Sequence, residues 1–92
     1  MAKVLTSVNV AWIDELLDAL SAFDRKPHGE ISYTVDLDED IHNRVYISFT
    51  WISLPNARDF WKSDEAKTHI KNWRSVTEPN FTFLRTLPTD RF

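Results

Sequence analysis

The chain has 92 residues, 42% of them hydrophobic and 13% aromatic, enough for one core and too few for two, so a single domain over residues 1–92 is expected. Eleven basic residues against fourteen acidic ones leave a net charge of −3, which provides no field to hold a phosphate backbone, so nucleic acid is not an expected partner. Cysteine is absent, removing disulfides, thiolate metal sites and cysteine nucleophiles.

The N-terminal MAKVLTSVNV has too short an apolar run for a signal peptide, and no stretch reaches the ~20 apolar residues of a membrane span. A cytoplasmic address with no membrane partner is therefore expected. Val4, Thr6, Val8 and Val10 share one parity, and Lys3, Leu5, Ser7 and Asn9 the other, the period of a first strand. The period then changes. Ile13, Leu16, Leu17 and Leu20 fall within about 100° of one another on a helix, flanked by Trp12 and Phe23. Asp14, Glu15 and Asp18 occupy the N-terminal half, where the helix dipole favours them. Pro27 stops this helix before Lys26, and Gly29, the only glycine, follows.

Ile31, Tyr33, Val35 and Leu37 alternate with Ser32, Thr34 and Asp36 in a second strand. The acidic DLDEDIHN segment after it lacks the central glycine and closing glutamate of a calcium loop, so a solvated hairpin closed by His42 and Asn43 is predicted. Val45, Ile47, Phe49 and Trp51 form a third strand, opposed by Tyr46, Ser48 and Thr50. The next helical stretch cannot be one straight helix with one buried face. Ile70 and Trp73 lie within about 40° of Ala66, whereas Ala57, Phe60 and Trp61 point about 120–180° away. A break near Lys62 reconciles the two sets, with Ser63 as N-cap and Asp64 and Glu65 in the new first turn. After Pro79 and Asn80, Phe81, Phe83, Arg85 and Leu87 against Thr82, Leu84 and Thr86 give a final strand, followed by Pro88 and a polar tail, TDRF.

The order is βαββαβ, an α+β, ferredoxin-like antiparallel sheet with two helices on one face. Leu5, Tyr46 and Leu84 make the other face too apolar for water, so a second sheet, supplied by dimerisation, is expected to cover it.

Three of the four tryptophans and their neighbours supply the candidate site. Trp51, Phe60, Trp61 and Trp73 are first of all core; a flat aromatic ligand or an aromatic interface also accounts for such a cluster. Asn9 has two readings, the first being the N-cap of a helix starting near Val10 or Ala11, the second a donor to a substrate oxygen. His69, at the edge of the stripe, reads either as a general base with a near-neutral pKa or as a half-exposed helix residue. Tyr33 and Tyr46 are candidate hydrogen-bond donors, on sheet faces the sequence does not specify. His28 and His42 fall in turns, and the three histidines have no metal-ligand spacing, so no metal is expected. No Ser-His-Asp order, phosphate loop or dinucleotide fingerprint is present.

The run SFTWISLPNARDFWKSDEAKTHI, through Trp51, Ser53, Ala57, Phe60 and Ser63 and with the Pro27-His28-Gly29 turn ahead of it, resembles the antibiotic biosynthesis monooxygenase-like domain of the dimeric α/β-barrel superfamily. The resemblance implies a homodimer whose sheets close into a barrel, and a pocket between sheet and helices. In that family's cofactor-free oxygenases a polyphenolic substrate sits near Asn, Trp and Tyr or His, is deprotonated, and reacts with dioxygen without metal or flavin. It thus implies a cofactor-independent monooxygenase for an aromatic or polyketide-like substrate, with His69 as base, Asn9 as oxygen-side donor, Trp61 and Phe60 as platform, and Trp51, Trp73 and Tyr46 around the ligand. A non-catalytic ligand-binding or stress-associated dimer is the alternative. The haem-degrading branch uses Asn, Trp and His, for which Asn9, Phe60-Trp61 and His69 are near matches. Aligned on Lys62-Ser63-Asp64, however, Phe60 takes the tryptophan position and Ile70 the histidine position, about 100° from where the ligands belong, so haem is disfavoured.

Overall fold

The computed structural model describes residues 1–88; the predicted polar tail, residues 89–92, lies outside the described residues. Strand β1 (Ala2–Asn9) leads to helix α1 (Ile13–Ala22), strand β2 (Glu30–Leu37), strand β3 (Arg44–Trp51), helices α2 (Leu54–Lys62) and α3 (Asp64–Lys71), and strand β4 (Asn80–Arg85). The strands lie in the order β2-β3-β1-β4, and every pairing is antiparallel. This is the predicted ferredoxin-like α+β sheet, with the second helix divided in two.

The alternation of the strands decides which face is covered. Val4, Val8, Val45, Ile47, Phe49 and Trp51 turn inward and are buried beneath Leu16, Leu20, Ala57, Phe60, Trp61, Ala66 and Trp73. The opposite parity, including Leu5, Ser7 and Asn9 facing Ser48, Tyr46 and Arg44, forms an uncovered face. On it Leu5, Tyr46 and Leu84 remain 42%, 40% and 39% exposed.

Ser63 makes the helix break. Its hydroxyl donates to the Phe60 carbonyl at 2.6 Å and accepts from the Ala66 N–H at 3.1 Å, closing α2 and opening α3 with one side chain. The prediction from the two opposed apolar sets is thus met at the predicted residue.

Other expectations change. Asn9 is the last residue of β1 and caps no helix, because Val10 still bridges Ser75 and keeps the chain extended. Helix α1 starts at Ile13, with Trp12 in the cap position and no side-chain cap. In α1 Leu16 and Leu20 are buried while Leu17 is exposed, so the stripe is narrower than predicted. A register shift between Glu30 and Ser32 turns Glu30 inward and leaves Ile31 exposed, although its parity had placed it with Tyr33 and Val35. The hairpin after β2 is held by Asp38, whose Oδ1 accepts from the N–H groups of Asp40 and Ile41, and by Asn43 at φ 57°. No helix among the described residues is long and apolar enough to cross a membrane.

Candidate functional site

Between sheet and helices the space is filled by rings. His69 stacks on Phe23 at 4.5 Å and stands edge-on to Trp73 at 5.4 Å; Trp61 meets Phe49 at 5.0 Å, Phe60 at 4.9 Å and Phe81 at 4.9 Å. Trp51 packs on Phe60 at 5.5 Å. All four predicted core aromatics are therefore buried in one cluster.

Inside that cluster lies a polar network invisible to periodicity. Arg25, in the turn after α1, is buried, and its Nε donates to Glu30 Oε2, the residue turned inward by the β2 irregularity. Its Nη1 donates to the Leu20 carbonyl at 3.2 Å and lies 3.0 Å from His69 Nε2. The guanidinium sits over the rings of Tyr33 at 4.8 Å and Phe49 at 5.2 Å. Nε and Nη1 of the cation thus have a carboxylate, a carbonyl and an imidazole against them, and two π-faces flank the guanidinium, as a buried charge requires.

The network fixes the state of His69. A guanidinium has no acceptor, so His69 Nε2 accepts from Arg25 and the ring's proton is on Nδ1. Burial, and secondarily the Arg25 charge, push the His69 pKa down to about 4. The near-neutral base expected from the sequence is replaced by a neutral core imidazole, 1% exposed, whose lone pair is already used. The folded pKa lies below the unfolded value, so the unfolded chain binds the extra proton first and stability is lost as pH falls from about 6.5 towards 4. At about 1.36 kcal/mol per pH unit, roughly 3 kcal/mol should disappear across that window. Urea midpoints at pH 7 and pH 4.5 should show the drop in the native chain and a smaller one in His69→Leu.

Haem does not fit at this histidine. A ligating nitrogen needs a free lone pair facing open space, whereas His69 Nε2 faces Arg25 and the ring is enclosed by Phe23, Trp61 and Trp73.

Asn9 and Tyr46 lie elsewhere. Both belong to the uncovered sheet face, where the Asn9 side-chain oxygen accepts from Arg44 Nε and the Tyr46 hydroxyl donates to Asp38 Oδ2 at 2.7 Å. The sheet separates them from His69 and the tryptophans. Of the predicted site residues, Trp51, Phe60, Trp61, His69 and Trp73 come together, and Asn9 and Tyr46 do not join them.

At the helix break the edge of this aromatic cluster, through the buried Phe60, adjoins a surface cleft. A cleft of about 330 Å³ opens there between Pro27 and His28 on one wall, Asn56 and Asp59 of α2 on another, and Ser63 and Glu65 at the start of α3, with Phe60 in its lining. His28 stands 4.9 Å from Phe60, ring to ring, and its Nε2 is 3.2 Å from Glu65 Oε2. Asn56 is fixed at both ends of its amide: Oδ1 accepts from the Ser53 hydroxyl at 2.5 Å, and Nδ2 donates to the His28 carbonyl at 3.3 Å, leaving one N–H for a ligand. Gly29 at φ 109° allows this close approach; a Cβ there would come within 3.1 Å of Asn56 Nδ2 and of Ile52 Cγ1. The arrangement joins an imidazole held by a carboxylate, a fixed amide and an aromatic ring. A larger cavity of about 550 Å³ beside Trp12, Asp14 and His42 has no such pairing, since His42 makes no ion pair among the described residues.

Comparison with solved structures now bears on the fold. A protein of Bordetella bronchiseptica assigned to the antibiotic biosynthesis monooxygenases superposes with a TM-score of 0.74 over 95% of this chain and 97% of its own, at 12% identity. The chain has the antibiotic biosynthesis monooxygenase fold. A protein of Deinococcus radiodurans with the same assignment gives 0.69 over 97% and 95% at 13% identity. SnoaB, a cofactor-independent oxygenase of Streptomyces nogalater, gives 0.72 over 96% and 94% at 16% identity. No protein-family model and no curated protein sequence matches the chain.

Proposed function

We propose that the chain is a homodimeric, cofactor-independent monooxygenase that takes a hydroxylated aromatic substrate in the cleft at the helix break. The observation that carries the reading is the meeting of His28, Glu65, Asn56 and Phe60 around that cleft, in a fold shared with a cofactor-independent oxygenase. The residue types implied by the resemblance, Asn and His beside an aromatic, are met through Asn56 and His28 in place of Asn9 and His69. In this assignment Trp51, Trp61, Trp73 and His69 form the rigid wall behind Phe60.

Glu65 Oε2, 3.2 Å from His28 Nε2, favours the proton on that nitrogen, and the Nδ1 lone pair is assigned the phenolic proton. Asn56 donates to the resulting oxyanion. The electron-rich ring carbon bonds to dioxygen; loss of water from the adduct leaves a quinone carbonyl, so one oxygen atom enters the product, one leaves as water, and no external reductant is consumed. An oxygen electrode tests this with a dihydroxynaphthalene panel: uptake matched one-to-one by quinone, without added metal or flavin, supports it. A second reading, binding without turnover in a stress-associated or ligand-binding dimer, is favoured by the openness of the cleft, since His28 is partly exposed to water. Binding of the same compounds with no oxygen uptake above background selects that reading.

The dimer rests on the uncovered sheet face, where Leu5, Tyr46 and Leu84 surround a shallow cavity of about 300 Å³. Light scattering is expected to give twice the 10.8 kDa chain mass, and Leu5→Glu to return the chain to a monomer. A native monomer at micromolar concentration contradicts the dimer.

A further inference from the structure

We infer that the helix-break cleft selects its ligand by charge, accepting an uncharged or cationic hydroxyaromatic and rejecting one that bears a carboxylate. The inference rests on the cleft being the site. Two of its lining residues, Asp59 and Glu65, are acids, and the one other titratable residue, His28, is already paired with Glu65. Among the described residues no lysine or arginine lines the cleft to balance them. Lys26 and Lys62 are neighbours in sequence but not in the lining, Arg58 lies over the Phe83 ring at 4.8 Å, and Arg25 is turned inward to Glu30. Lys67 is 3.8 Å from Asp64, outside the cleft.

Backbone dipoles do not rescue an anion either. The C-terminus of α2 and the N-terminus of α3 meet at Ser63, so their opposed partial charges fall at the same place. The Ser63 hydroxyl, moreover, is already committed to the Phe60 carbonyl and the Ala66 N–H. A carboxylate seated in the cleft would therefore face the two like charges of Asp59 and Glu65. Near a protein surface such pairs lower affinity a fewfold each, about tenfold together, and the effect is screened by salt. A cation gains from both acids. The volume, about 330 Å³, is at the small end of ligand sites and suits one or two fused rings.

Three compounds of matched size test the rule by calorimetry at pH 7: 2,6-dihydroxynaphthalene, 6-hydroxy-2-naphthoate and 6-(aminomethyl)-2-naphthol. The naphthoate is expected to bind about tenfold more weakly than the diol, and the amine at least as tightly. The gap should narrow in 0.5 M salt, where the Debye length falls to about 4 Å from about 10 Å at 0.1 M, and close in the surface double variant Asp59→Asn, Glu65→Gln. Equal affinities in the native chain, with His28 resonances shifted by all three compounds, overturn the charge rule and leave the cleft as the site. Discrimination that survives in the double variant also overturns the rule, and binding of any compound without a shift at His28 overturns both rule and site.

Discussion

Arg25→Ala is expected to leave the chain at or beyond the edge of unfolding. The substitution strands Glu30 as an uncompensated buried carboxylate, which costs about 3–5 kcal/mol, and removes the donor that holds His69 Nε2. A domain of this size has about 5–15 kcal/mol in total. Each kcal/mol lowers Tm by about 4–8 °C, so a fall of at least about 12 °C is expected by circular dichroism. The double substitution Arg25→Met, Glu30→Leu separates burial from charge. It removes both ions and fills their volume, so most of the loss should be recovered, with a remainder from the unpaired His69 nitrogen. An Arg25→Ala chain within about 1 kcal/mol of native stability contradicts the buried network.

The second large effect falls on activity. His28→Ala removes the proposed base and is expected to lower kcat by about 10²–10⁴-fold. The fold should survive, because His28 is partly exposed in a turn whose backbone is set by Pro27 and Gly29. Glu65→Gln keeps the imidazole but weakens its anchor at 3.2 Å, so an intermediate loss is expected. Full activity in His28→Ala, with kcat and KM both unchanged, removes His28 from the mechanism. His69→Leu, by contrast, should reduce stability at pH 7 more than it alters the pH–rate profile, because its nitrogen faces Arg25 rather than solvent.

The two histidines show what the sequence could carry. Strand and helix periods are local, so the βαββαβ order could be read directly, and the opposed apolar sets placed the break at the residue whose hydroxyl makes it. Side-chain partners distant in sequence could not be read. His69 meets Arg25 across 44 positions, and Asn56 meets the His28 carbonyl across 28. Helical angle placed Ile70 in the stripe and His69 at its edge, yet the imidazole is the more buried because Arg25 satisfies it. Glu30 lay outside the predicted second strand, which started at Ile31; one register shift brought it in. Asn9 was misread for a related reason, since the bridge from Val10 to Ser75 delays the helix it was expected to cap. The cleft residues come from a turn, a helix and the start of another helix, and the only local signals were the PHG turn and the cap at Ser63.

Amide chemical-shift mapping with 2,6-dihydroxynaphthalene tests the location of the site most directly. The account predicts that the largest shifts fall on His28, Asn56, Asp59, Phe60, Ser63 and Glu65. Shifts concentrated instead on Leu5, Ser7, Tyr46 and Thr82 of the uncovered sheet face, or on Trp12, Asp14 and His42, would contradict it.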